Sequence, residues 1–185
     1  MKRQIRRSVF ETNSSSTHSI SISKKPVTID TTKVIGFEIG EYGWENDCVS
    51  AKNYLYTAIM SFDDSEELLK KMIDILDKNN VKYCLGEVIT HKETYDDEVY
   101  TYLDNGYIDH CGNVREFVET VLDNEDMFIR LIFGDSCVYT GNDNQDNIPD
   151  GCDIAKSTYY DYDSNKYIPN PYHDAENYDY FYKGN

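Results

Sequence analysis

The residues best suited to chemistry stand close to the amino terminus. The run Asn13-Ser14-Ser15-Ser16-Thr17-His18 sets four hydroxyls, an amide and an imidazole within six positions, with Arg3, Arg6 and Arg7 before it and Lys24 and Lys25 after it. Hydroxyls and amides donate to phosphate oxygens, and the cations neutralise their charge. Arg3, Arg6, Arg7, Asn13, Ser14, Ser15, Ser16 and His18 therefore form a candidate phosphate-binding set. Neither the glycine-rich P-loop nor the dinucleotide fingerprint is present. The alternative is a turn leading into a strand, its hydroxyls satisfying local backbone groups.

A second candidate lies at the other end. Eight of the 17 tyrosines fall in residues 159–182, interleaved with Asp161, Asp163, Asp174 and Asp179. Carboxylates spaced like phosphates, with flat rings between them, suit a grip on a basic nucleic-acid channel. Tyr159, Tyr160, Asp161, Tyr162, Asp163, Asp179 and Tyr180 are the candidate partner-binding residues on that reading. On the other, the tyrosines lie on their own domain and the aspartates stay in water.

Other patterns fail on inspection. Two-histidine phosphoesterases need His-x-Ser/Thr twice, and none of the segments starting at His18, His91, His110 or His173 complies. Asp161-x-Asp163-x-Asn165 opens like a calcium loop but has Lys166 where glycine is needed and Tyr172 where a closing glutamate is needed. Asn142-x-Asn144-x-Asp146 lacks a closing carboxylate at the right spacing. Cys48, Cys84, Cys111, Cys137 and Cys152 are odd in number, widely spaced and never in a C-x-x-C pair, which reads as reduced thiols. Cys84 and Cys137 fall inside expected strands as small core residues; His110-Cys111 falls in a polar turn. No catalytic residue, cofactor or metal is assigned.

The elements that must hold these residues follow from periodicity. In residues 17–23, His18, Ile20 and Ile22 share one face and Thr17, Ser19, Ser21 and Ser23 the other, the pattern of a half-buried strand with a packed, hydrogen-bonded histidine. Residues 33–40 read as a second strand, with Ile35, Phe37 and Ile39 inward. Helices are expected after Ser50, after Asp64 and after Asn113, and residues 127–133 read as a fourth behind an acidic start. Further strands are expected at 81–90, 98–103 and 136–140. Turn formers dominate 142–153. The fold class is α+β, one domain with an antiparallel or mixed sheet and three to four helices; residues 1–141 form the core with its basic N-terminal segment, and 142–185 a polar loop and an acidic Tyr-rich tail.

Charge sets the partner. The chain has 34 acidic and 18 basic residues, a net charge of −16. Six of the basic residues and only Glu11 lie in the first 25 positions, so that segment carries about +5 and the remainder about −21. Such a body repels DNA, RNA and anionic lipid and attracts basic surfaces. With 39% apolar and 14% aromatic residues, a folded core is expected. No stretch has the ~20 apolar residues that span a membrane, and a cytoplasmic setting in a host cell is expected.

The opening Arg6-Arg7-Ser8-Val9-Phe10-Glu11-Thr12-Asn13-Ser14-Ser15-Ser16-Thr17-His18-Ser19 resembles the start of a group of uncharacterised proteins of Gram-positive bacteria and their phages. Phe133-Gly134 and Thr140-Gly141-Asn142-Asp143-Asn144 are similar to a later segment of the same group. The resemblance implies a phage or mobile-element origin, a setting in which small acidic proteins commonly inhibit host defence. The leading expectation is an inhibitor that binds a basic nucleic-acid-handling host protein, such as a CRISPR effector, by mimicking nucleic acid. The alternative is a phosphate-ester or nucleotide-binding enzyme built on residues 13–18.

Overall fold

Alternation of apolar and hydroxyl side chains makes residues Ser16–Ser23 a strand, β1, and the computed structural model places it at the centre of the molecule. The structure describes residues 16–43, 47–95, 98–109, 114–142, 154–161 and 163–183. Along the chain follow β2 (Val34–Phe37), β3 (Glu41–Tyr42), β4 (Asp47–Val49), α1 (Ala51–Met60), α2 (Ser65–Lys78), β5 (Lys82–Leu85), β6 (Thr90–Tyr95), β7 (Glu98–Leu103) and β8 (Tyr107–Ile108). Then come α3 (Arg115–Asp123), α4 (Glu125–Phe133), β9 (Ser136–Asn142), β10 (Thr158–Asp161), β11 (Lys166–Pro169) and β12 (Tyr178–Lys183). The main sheet runs β12-β1-β9-β4 with antiparallel neighbours throughout; β6 and β7, and β10 and β11, are antiparallel hairpins, while β2 pairs with β5 and β3 with β8 in parallel. This is the expected α+β domain with a mixed set of sheets. No helix among the described residues is long and apolar enough to cross a membrane.

The helices cover the face of the sheet that carries His18, Ile20 and Ile22. α1 is buried almost all round, through Tyr54, Leu55, Tyr56, Ala58 and Ile59. α2 shows Leu68, Met72, Ile75 and Leu76 to the core and is stopped at Asn80, whose φ of 54° asparagine tolerates better than most residues. α3 contributes Phe117, Val118, Val121 and Leu122, and α4 contributes Phe128 and Leu131. Asn124 caps α4 by accepting from the Met127 amide, which turns the apolar run 127–133 into a helix. The single strand expected over 81–90 is two. Gly86 donates its amide to the Phe37 carbonyl, and any β-carbon there would meet that oxygen at 2.8 Å, so the chain breaks away between β5 and β6.

Two expectations need correction. β1 is not half-buried: all eight of its residues are shut off from solvent. The hydroxyl face is covered because β12 lines it with tyrosines, Ser19 standing opposite Tyr182, Ser21 opposite Tyr180 and Ser23 opposite Tyr178. His173 stacks on Tyr180, the Asp174 amide donates to the Tyr180 hydroxyl, and Lys156 lies over the Tyr182 ring. The boundary expected at 141/142 accordingly does not divide the sheet, since β12 hydrogen-bonds to β1 over six paired residues.

β12 is further clamped by charge. The Arg130 guanidinium, with a side chain 9% exposed, donates to Asp126 (2.8 Å), to the Ser23 carbonyl (3.0 Å) and to Asp179 (3.0 Å). Lys24 holds the other Asp179 oxygen at 3.5 Å and donates to the Ala175 carbonyl at 2.9 Å. Burial disfavours the Arg130 charge, but the hydrogen bonds to Asp126 and Asp179 outweigh it and leave its pKa above the ordinary value. Phe181, on the same face of β12 as Asp179, packs edge-on against Phe117 of α3. Deleting residues 178–185 should therefore abolish the cooperative thermal transition followed by circular dichroism. A truncated protein that still melts cooperatively would restore the tail to the status of an appendage.

Candidate functional site

Of the eight residues expected to hold a phosphate, Ser16 and His18 lie within the described structure; Arg3, Arg6, Arg7, Asn13, Ser14 and Ser15 lie outside it. The structure joins these two. β1 turns His18 toward the helices, where Nδ1 meets the Tyr54 hydroxyl at 2.9 Å and Nε2 meets the Ser16 hydroxyl at 2.9 Å. Tyr54 is fixed by edge contact with Tyr42 and tilted contact with Phe117. Each imidazole nitrogen thus has a hydroxyl partner, and the tautomer decides which one donates.

A serine hydroxyl on imidazole, with a third group orienting the ring, is the arrangement that activates a nucleophile. Exposure argues the other way: Ser16 is 0% and His18 1% exposed. A cleft of about 200 Å³ lies over His18 and Ile20, walled by Val114, Glu116 and Phe117 of the α3 segment and by residues 180–182 of β12. That is smaller than the ~300–1,000 Å³ of typical small-molecule sites. Tyr54 meets His18, and Glu116 and Phe117 join it at the cleft, only through tertiary packing, and no local pattern in the sequence marks them.

The expected partner-binding residues separate into two groups. Tyr159, Tyr160, Asp161 and Asp163 belong to the β10–β11 hairpin, and Tyr162 lies outside the described residues. Asp161 accepts from the amides of Asp163 and Ser164, and hydrogen bonding from Ser164 holds its carboxyl below the usual range. The stretch that opens like a calcium loop is therefore a hairpin turn, closed through Asn165 with φ of 53°. Tyr160 packs edge-on against Tyr167, which is 68% exposed. Asp179 and Tyr180 belong instead to the internal contacts of β12.

The surplus acid lies elsewhere. Arg115 makes a two-pronged pair with Asp64 and a third bond to Glu119, Lys71 pairs with Asp123, and Lys78 with Glu125, so three cations stitch α2 to α3 and α4. Beside these pairs Glu66, Glu67, Asp74, Asp77 and Glu116 are exposed on the helical layer. No family model, curated protein or solved structure matches the chain.

The Asp64–Arg115 pair carries a pH signature. Hydrogen bonds from Arg115 hold the Asp64 carboxyl below its ordinary value in the fold. Its contribution is whole above the unfolded pKa of about 4 and fades as acid titrates the folded carboxylate. Both side chains are more than a third exposed, so solvent screening limits the pair to about 0.5–1 kcal/mol. Asp64→Asn should cost that much in urea denaturation at pH 7, and the gap between variant and parent should close by about pH 2–3.

Proposed function

We propose that this protein is an acidic docking protein that binds a basic, nucleic-acid-handling partner and covers the surface on which that partner would hold DNA or RNA. One observation supports this above all: internal pairing cannot consume the acid. With 34 carboxylates against 18 cations, one-to-one pairing of every cation would still leave sixteen over. Lys71, Lys78 and Arg115 are already committed to holding the helices together. The carboxylates of Glu66, Glu67, Asp74, Asp77 and Glu116 project from a rigid helical layer, which spaces fixed charges more firmly than a loop would. The β10–β11 hairpin adds Tyr159, Tyr160 and Asp163, with Tyr167 outermost. The similarity of the first residues to phage-associated proteins favours a host defence protein, such as a CRISPR effector, as the partner.

The test is capture of purified nucleic-acid-handling effectors, followed by titration with salt and with competing nucleic acid. Binding should weaken steeply with salt and be displaced by the effector's own DNA or RNA. A variant carrying Asp74→Lys should bind more weakly while keeping its thermal midpoint. An interaction indifferent to salt and unaffected by nucleic acid would end this reading.

The Ser16–His18–Tyr54 chain favours a second reading, in which the hydroxyl block binds and cleaves a phosphate ester with His18 as the base. Turnover of phosphate monoesters or nucleotides that His18→Ala abolishes in a folded variant would establish it. Turnover that survives the substitution would remove it.

A further inference from the structure

We propose that Cys48 and Cys137 form a reversible dithiol–disulfide site across strands β4 and β9. Cys48 stands opposite Tyr139 in the antiparallel ladder, and Cys137 lies two residues along β9, so both side chains rise from the same face of the sheet. The Cys137 thiol donates to the Cys48 sulfur at 2.9 Å. Two thiolates held by one tetrahedral metal ion, with bonds of about 2.3 Å, would stand about 3.8 Å apart, so the observed approach suits a bond between the sulfurs better than a bridging ion. Cys48 is exposed on the edge strand β4 and Cys137 is half-buried on the adjoining strand β9, so the Cys48 sulfur is within reach of a small oxidant.

The oxidant class that fits is a low-molecular-weight disulfide such as oxidised glutathione. The Cys48 thiolate attacks one of its sulfurs, forming a mixed disulfide and releasing one small thiolate. The Cys137 thiolate then attacks the Cys48 sulfur, closing the protein disulfide and releasing the second. Two electrons pass from the cysteines to the small disulfide, and the two cysteine protons end on the two released thiols.

The bond would link positions 89 residues apart and fasten β4, a three-residue edge strand, to the middle of the sheet. β4 runs directly through Ser50 into α1, the helix that presents Tyr54 to His18. Oxidation thus locks the start of α1 against the sheet. Reduction leaves it held by the short β4 ladder and by packing.

The full chain, equilibrated in glutathione buffers of graded redox potential, then acid-quenched, alkylated and digested, should yield a peptide pair joined through Cys48 and Cys137 and lighter by two hydrogens. The thermal midpoint of the oxidised protein should rise by about 5–10 °C and return on reduction with dithiothreitol. Cys48→Ser and Cys137→Ser should each remove the cross-link and the shift while leaving the reduced midpoint in place; Cys84→Ser should retain both. Persistent glutathione adducts on Cys48 without ring closure, an intermolecular bond, or closure onto a different cysteine would overturn the proposal.

Discussion

Strand β1 is hydrogen-bonded along both edges and covered on both faces, yet every second side chain on it carries a hydroxyl. A buried polar group left without a partner costs about 1–3 kcal/mol, so a strand of this composition is tolerable at the centre only if its polar groups are met from within. His18 is met by Ser16 and Tyr54, Ser21 donates to the Cys137 carbonyl, and Ser23 accepts from the Lys25 amide. Small hydroxyls also leave room for the large tyrosines of β12 beside them. The rest of the molecule is arranged around this requirement: helices close the apolar face, and the tyrosines of β12 flank the hydroxyl face.

The clamp at Arg130 answers a different problem. Side chains on a strand alternate, so a slip of one residue in β12 would exchange its two faces. Asp179 and Phe181 would then turn away from Arg130 and Phe117, and tyrosines would take their place against the helices. Buried ion pairs add little net stability against an apolar replacement, because desolvation offsets most of the attraction. Here the pair discriminates between registers: a guanidinium already bonded to the Ser23 carbonyl accepts only the frame that brings a carboxylate to it.

This explains what could be read from residues alone. The period-two face of β1, the helices after Ser50, Asp64 and Asn113, and the helical run near 127–133 are local patterns, and the structure has all of them. The alternation in Tyr178-Asp179-Tyr180-Phe181-Tyr182 is equally regular, but its polar character suggests a solvated tail, because the groups that pair with it, the Arg130 guanidinium and the backbone of β1, lie far away in sequence. The same distance hides the meeting of Cys48 with Cys137, and Cys84 and Cys137 are less buried than their strands suggest. The candidate site was legible only in part: His18 reads as a packed histidine from its place beside Ile20 and Ile22, whereas Tyr54 and Glu116 reach it through packing that no spacing reports.

Charge ties stability to binding. Residues 26–185 carry a charge of about −21, and a compact state with that excess works against its own repulsion. Lys71, Lys78 and Arg115 hold down the seam between α2 and the following helices by pairing with Asp123, Glu125 and Asp64. A basic partner laid against the exposed carboxylates of that layer would supply further cations where the fold has used its own. Because such a partner binds the folded arrangement of charges and not the dispersed chain, its affinity adds directly to the stability of the native state. Under the proposed function, docking would relieve part of the repulsion among these carboxylates, a contribution that a neutral surface of the same shape does not hold.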